Sequence, residues 1–301
     1  MIVNKAALLA VFTNLNVMLN KSIAEAPKQD WEDIAMTVPS QSSEEDYGWL
    51  SDFPQMIEWI GEKQVKTMEA FEYALKNKKW ESTIGVKIDD IKDDKLGMLS
   101  TKIQTRAWAA KAWPARLMAT LQNGSFTGLC YDGQYFYDTD HPVKGASVSN
   151  RLSVALSAAT CAAATASYGA ARTAMMAFTD EDGELLGLIP DTLEVPPALE
   201  AVARILLEKD KLVDNSPNPF QGTAKVKVNP RLTSSTAWFL HMTTAPIKPF
   251  IFQLREAPHA VEQTGMDADS VFMRGEALYG LESRGNAGYG LWKLSVGSTG
   301  A

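Results

Sequence analysis

Apolar positions along this 301-residue chain recur at two periods, and the change between them marks out its parts. Over residues 96–122, Leu96, Leu99, Ile103, Ala110, Leu117 and Leu121 fall on one stripe at three- and four-residue steps and their multiples. That spacing predicts the strongest helix in the chain, about 25 residues or on the order of 40 Å long. Asp93 or Asp94 can cap its start, and Asn123-Gly124 supplies the left-handed residue that stops it. Pro114 lies inside the pattern and predicts a bend. Just before this helix the period drops to two. Trp80, Ser82, Ile84, Val86 and Ile88 share one side of a predicted strand. Lys76, Lys78 and Lys79 enter that strand and Asp89, Asp90, Asp93 and Asp94 leave it, so its ends are oppositely charged.

The flanking segments are shorter. Residues 1–26 read as an amphipathic helix with a polar tail, residues 31–39 as a short strand leaving the body, and residues 40–47 as a polar acidic connection. Apolar spacing over residues 56–75 is helical or mixed. Past Gly124 come short strands and turns up to Val148, then an alanine-rich helix ending near Phe178. A strand is predicted at residues 193–195, followed by a helix begun by Pro197, where a missing amide proton costs nothing. Glu200 and Arg204 sit four apart on that helix, with Leu199, Val202 and Leu206 facing inward. Ala224, Val226 and Val228 alternate with Lys225 and Lys227, and further strands are expected at residues 249–254, 271–279 and 291–296. No fixed-period repeat occurs.

About 300 residues exceed what one hydrophobic core usually organises, so the pattern reads as a two-part α+β protein with a projecting strand pair and a long beam helix. With 46% hydrophobic residues it is globular. The formal charge of −7 disfavours a protein whose main task is wrapping phosphates. Cys130 and Cys161 are expected as free thiols; without a Cys-x-x-Cys there is neither zinc ribbon nor redox motif, which suits a reducing cytoplasm. Residues 6–12 are too short and too poorly flanked for a signal peptide, and residues 157–178, interrupted by Arg172, are too weakly hydrophobic to enter lipid. The chain reads as soluble, with no membrane partner.

One stretch invites a chemical reading. YDGQYFYDTDHPV (residues 131–143) holds Asp132, Asp138, Asp140 and His141, which by type could bind a divalent ion and support a metal-dependent hydrolase. The structural reading is stronger. Asp132-Gly133 is a tight-turn dipeptide, residues 134–137 alternate as a strand, and Asp-x-Asp-His-Pro ends it by side-chain capping and a proline stop. The only other histidines, His241 and His259, stand in no motif. A nucleophile elbow, a Walker loop and a His-Glu-x-x-His are all missing, and RGNAGYG (residues 284–290) leads into a strand rather than a helix. Its glycines are expected to allow positive φ in a bend before the last strand. The expectation is therefore no catalytic residue, no cofactor and no metal.

Four segments occurring in order, NKKWESTIGVKIDDIKDDKLG, YDGQYFYDTDHP, IPDTLEVPPALEAVARILL and ALYGLESRGNAGYGLW, resemble the major head subunits of Mu-like phages, and the similarity runs nearly the whole chain. The resemblance implies the Hong Kong 97 phage-type capsid fold. It would place an N-terminal arm at residues 1–48, an extended hairpin loop at 49–95, a peripheral domain with the spine helix at 96–149, an axial domain at 150–245, and return strands at 246–301. It implies a major capsid protein of a tailed bacteriophage, assembling with itself into hexamers and pentamers of an icosahedral shell around double-stranded DNA contacted non-specifically. A separate scaffold and protease, a portal and a decoration protein are implied as partners, the bacterial host cytoplasm as the place of assembly and the virion capsid as the destination. A charged scaffold segment ahead of the arm, common in the wider fold, is not seen here, and no Lys–Asn pair matches the covalent cross-link of some relatives.

A two-stranded hairpin is marginal alone. The apolar face led by Trp80 and Ile84 is therefore expected to be covered by a neighbouring subunit, with Lys76, Lys78, Lys79, Asp89, Asp90 and Asp93 pairing across the contact. The polar arm near residues 24–29 is likewise expected to order on a neighbour. A cargo-holding nanocompartment shell of the same fold is the alternative, with a decoration or minor structural protein a further one.

Overall fold

Two sheets organise the chain, one drawn out into a long ribbon and one compact and mixed. The computed structural model describes residues 5–25, 27, 29–48, 73–93, 96–180, 183–263, 265 and 268–301. Helix α1 (Lys5–Glu25) buries Val11, Phe12, Leu15 and Leu19, the apolar face predicted at the N-terminus. A single turn, α2 (Trp31–Ile34), precedes β1 (Ala35–Pro39). The strand expected to leave the body instead stays on it. Trp31 packs edge-on against Phe252 at 5.0 Å, and Ala35–Pro39 runs parallel to the strand Phe250–Gln263. Strands β2 (Glu44–Asp46) and β3 (Ala74–Lys76) pair with each other. Residues 49–72, which hold the mixed segment and much of the expected extended loop, lie outside the described residues, as does the candidate cap Asp94.

Strand β4 (Lys78–Lys87), α3 (Ile88–Lys92), α4 (Leu96–Lys111) and α5 (Trp113–Gly124) follow. The beam helix is thus two helices meeting at Ala112, with Pro114 in the first turn of the second, where its missing N–H and ring are tolerated. The break also turns the buried face. Ile103 and Ala107 are buried before it, while Pro114, Met118, Ala119 and Gln122 are buried after it; Leu117 and Leu121 are only partly so.

A hairpin of β5 (His141–Val143) and β6 (Ala146–Val148) leads to β7 (Arg151–Leu152). The strand expected at residues 134–137 is a turn with a single bridge between Leu129 and Tyr135. The alanine-rich helix runs as α6 (Cys161–Ala164), a π turn (Thr165–Gly169) and α7 (Ala170–Met176). Strand β8 (Thr192–Val195) and α8 (Glu200–Glu208) follow, joined by a 3-10 turn that begins at Pro197. The chain ends with β9 (Lys225–Val228), β10 (Trp238–His241), β11 (Phe250–Gln263), α9 (Asp269–Arg274), β12 (Glu276–Tyr289) and β13 (Ser295–Ser298).

The ribbon sheet has the order β1-β11-β12-β4, and the compact sheet the order β7-β13-β10-β8-β9. Each builds its own core. The larger gathers Trp238, Phe239, Phe250, Trp292 and the buried face of α5 around the compact sheet and the ribbon's base. The smaller lies on the outer half of the ribbon, where α1 and α4 cover Val86, Ile88, Ala277, Tyr279 and Leu281. Phe12 stacks on Tyr279 at 5.9 Å, and the Tyr279 hydroxyl donates to Asn16 Oδ1 at 2.7 Å. The apolar faces of the N-terminal helix and of the Trp80 strand are therefore covered to a large extent within the chain.

Three expectations near the C-terminus are corrected. The strand expected at residues 291–296 opens as a 3-10 turn, Trp292–Leu294, and is extended only from Ser295. Residues 271–274 are helical, not extended, because Asp269 opens a short helix and Gly275 closes it in the left-handed region at φ 65°. The glycines of RGNAGYG make no positive-φ bend; residues 284–289 lie in β12. They permit close approach instead. A Cβ on Gly285 would sit 2.5 Å from the Gln253 carbonyl oxygen and 3.3 Å from the Trp113 ring. Gly285→Ala is expected to cost about 1–3 kcal/mol by overpacking the β11–β12 pair. A urea unfolding midpoint equal to that of the unsubstituted protein would show that the strands can separate without loss.

Candidate assembly interface and a buried polar network

Strand β4 is held at the sheet edge by antiparallel pairing along its length, from Lys78 opposite Gly285 to Lys87 opposite Glu276. Ten residues at roughly 3.3 Å each separate its ends by about 33 Å, several screening lengths. At the base, Lys76, Lys78 and Lys79 are exposed, and among the described residues none takes part in an ion pair. At the tip, Asp89 and Asp90 occupy the first turn of α3, where the helix dipole favours carboxylates, and Asp93 follows its end. The six charges predicted from sequence thus fall into two groups too far apart to neutralise each other within one subunit.

Trp80 and Ile84 sit between them, both partly buried. The Trp80 indole donates to the Gly285 carbonyl at 3.0 Å and lies 5.8 Å from the Trp113 ring, so it is held by the break in the beam helix. Ile84 packs on the outer core. Arg106 reaches from α4 to the Ser82 carbonyl and, at 3.0 Å, to its hydroxyl. Beside Trp113 two hollows open on either side of the helix. One, of about 310 Å³, is floored by Trp80 and Leu281; the other, of about 590 Å³, by Trp31, Met36 and Phe252.

The aspartate-histidine stretch is a brace. His141 is fully buried, its Nδ1 2.6 Å from Asp132 Oδ2 and its Nε2 3.2 Å from Asn150 Oδ1, and its ring stacks on Trp292 at 4.0 Å. Burial raises the Asp138 carboxyl, but amide donors from Thr139 and Tyr135 outweigh it and leave the group below its ordinary range. Asp140 is exposed. Among the described residues no group of three or more His, Cys, Asp or Glu is placed to hold a metal ion.

Sequence reasoning missed a second network. Glu194, in the middle of β8, is completely buried. Gln122 Nε2 donates to its Oε2 at 2.7 Å and Asn229 Nδ2 to its Oε1 at 2.7 Å. Lys227 Nζ lies 3.5 Å away and His241 Nε2 3.3 Å away, the latter close but out of hydrogen-bond alignment. Burial raises this carboxyl, yet Lys227 and His241 with the amide donor overcome that and hold it at about 2. His241 Nδ1 continues to Ser295 Oγ at 2.8 Å, which meets the Tyr137 hydroxyl at 2.5 Å. The one signal available was a charged residue inside the short apolar strand Thr192–Val195.

Among the described residues the accessible features are lysines at one end of β4, aspartates at the other and apolar hollows, which suit contact with other chains. Comparison with known proteins agrees. The model of the Mu-like prophage major head subunit gpT family matches residues 8–161, 154–232 and 227–301. The major capsid protein of Escherichia phage Mu is 29% identical over 296 residues, covering 98% of this chain and 74% of that protein. The procapsid of bacteriophage JBD30 matches with a TM-score of 0.62 and 30% identity over 98% of this chain and 76% of its own. The capsid of the same phage, decorated with minor capsid protein trimers, matches at 0.61 and 25% identity over 69% and 92%. The fold is accordingly the Hong Kong 97 phage-type α+β capsid fold, as the sequence resemblance implied. With the family model and these relatives running through the ribbon, the beam helix and the compact sheet alike, the chain belongs to the Mu-like prophage major head subunit gpT family and is a virion capsid subunit.

Proposed function

We propose that this chain assembles with itself into the hexamers and pentamers of an icosahedral head that encloses double-stranded DNA, and that it carries no catalytic activity. The observation that carries the reading is the similarity, over 98% of the chain, to a phage procapsid subunit. Assembly takes place in the host cytoplasm, with scaffold, protease and portal supplied as separate proteins, and DNA touches the inner surface without sequence preference. Minor capsid protein trimers decorate the JBD30 capsid, and a similar outer protein is proposed here. The division into arm, extended loop, peripheral and axial parts at residues 48, 95, 149 and 245 belongs to the same reading.

Within this reading Lys76, Lys78, Lys79, Trp80, Ile84, Asp89, Asp90 and Asp93 form contacts between subunits. Each exposed pair is worth roughly 0–1 kcal/mol, but a closed shell repeats it many times. Reversing Lys76, Lys78 and Lys79 to Glu is expected to leave the circular dichroism of the subunit unchanged while slowing or blocking assembly, followed by sedimentation and electron microscopy. Normal shells at normal yield across low and moderate salt would remove these charges from the interface. Failure of the unsubstituted protein, expressed with its scaffold, to close into icosahedral particles would sink the shell reading as a whole.

A further inference from the structure

The outer end of the ribbon carries the most exposed large apolar side chains among the described residues. Phe272 is 82% and Met273 76% exposed, side by side on α9. Their mounting is firm. Val271 and Ser270 on the same helix are buried, Gly275 closes it with a left-handed residue, and the Gly275 carbonyl accepts from the Ile88 amide at 2.9 Å. Near this pair lie Asp269 on α9 and Asp89 and Asp90 on the adjoining α3, with Asp93 just past its end, beside the cations Arg274 on α9 and Lys87 before α3.

The other end of the ribbon has the complementary features. The larger hollow beside Trp113, about 590 Å³, is walled by Trp31, Met36, Phe252 and Leu254, and its charged lining is Lys111, Lys248 and Glu32, one positive charge in net. Trp31 is 9% exposed, and its indole Nε1 has no hydrogen-bond partner. An apolar insert bringing a carbonyl oxygen would satisfy that donor, and an acidic one would match the net positive charge of the lining. Two different patches at opposite ends of one element make a head-to-tail contact, the type that closes rings of identical subunits.

We infer that Phe272 and Met273 of one subunit seat in the Trp31–Phe252 hollow of a second copy of this chain, tip acids against base lysines. This rests on the shell reading above and names one of its contacts. A second copy is the partner whose opposite net charge the chain itself supplies at the other end of the ribbon.

The test uses the full chain expressed with its scaffold. Phe272→Ser with Met273→Ser is expected to keep the unfolding midpoint of the unsubstituted subunit while lowering shell yield at least tenfold. Shells at the usual yield from that variant, beside shells from the unsubstituted protein, would overturn this contact and leave the shell reading standing; no shells from either would overturn both. A second arm mixes two differently tagged subunits in a Cys161→Ser background, one carrying Met273→Cys and the other Lys111→Cys. Mild oxidation of assembled particles is expected to give a disulfide between the two tags and none when Lys111→Cys is replaced by Val213→Cys. Particles that form without that disulfide, or in which position 273 is trapped only by a scaffold or decoration protein, would contradict a second copy as the occupant.

Discussion

Glu194→Ala is expected to destabilise the subunit by about 3–5 kcal/mol, the usual loss when one member of a buried charge cluster is removed. The carboxylate is the meeting point of α5, β8, β9 and β10. Its removal leaves the Gln122 and Asn229 amides without their acceptor and the Lys227 ammonium, only 11% exposed, without its counter-charge. Solvent cannot replace these partners where Glu194 sits. The same group sets an acid limit. Its folded pKa of about 2 lies below the ordinary 4.5, so its contribution is fully present above about pH 4.5 and is lost as pH falls from there toward 2. Urea unfolding of the unassembled subunit at pH 7 gives the first quantity, and a series between pH 5 and 2.5 gives the second. In Glu194→Gln the slope of stability against pH should flatten over that range. An unaltered slope would mean that other carboxylates carry the acid sensitivity.

Trp292→Ala should cost a similar amount, about 3–5 kcal/mol, for a different reason. The indole is 1% exposed, lies flat on His141 and meets Phe178 edge-on at 5.4 Å, so truncation opens a large cavity between the aspartate-histidine brace and the compact sheet. His141→Gln keeps the cavity closed but weakens the contact with Asp132; a loss of about 1–3 kcal/mol is expected. Thermal unfolding of both variants ranks the two effects, and metal content should be the same in all three proteins. A stoichiometric metal lost with His141 would overturn the brace reading.

What the sequence made legible were features encoded within a few neighbours. The alternation from Trp80 to Val86 and the proline start at Pro197 each reflect a local backbone preference and are found in place, whereas Ile88 already belongs to α3 and α5 ends at Gly124 without the left-handed residue expected there, Ser125 following it at φ −67°. The single turn at Trp31 and the six-residue helix at Asp269 are too short to show a period, and both were read as strand. RGNAGYG was legible as glycine-rich but not in its reason, since freedom in φ and absence of a Cβ look alike until the Gln253 carbonyl is placed opposite Gly285. Glu194 is the extreme case: Gln122, Lys227, Asn229 and His241 reach it from sequence separations of 33 to 72 residues, and none of them lies on its own strand. The charged ends of β4 could be read directly, whereas the hollow beside Trp113 depends on where α5 turns away from α4.

That turn has a mechanical meaning. Pro114 carries no amide hydrogen, so the helical ladder between α4 and α5 lacks the rung from position 114 to the Ala110 carbonyl, while the neighbouring bonds, Ala112 to Trp108 and Arg116 to Ala112, are intact at 3.0 and 3.2 Å. A rod weakened at one cross-section concentrates its curvature there and leaves the segments on either side straight. Identical subunits placed at sites of unequal curvature can then differ by an elastic deflection at one residue rather than by repacking of either core. The wall of Trp113 stands at that cross-section, so flexure of the rod and the width of the hollow beside it change together.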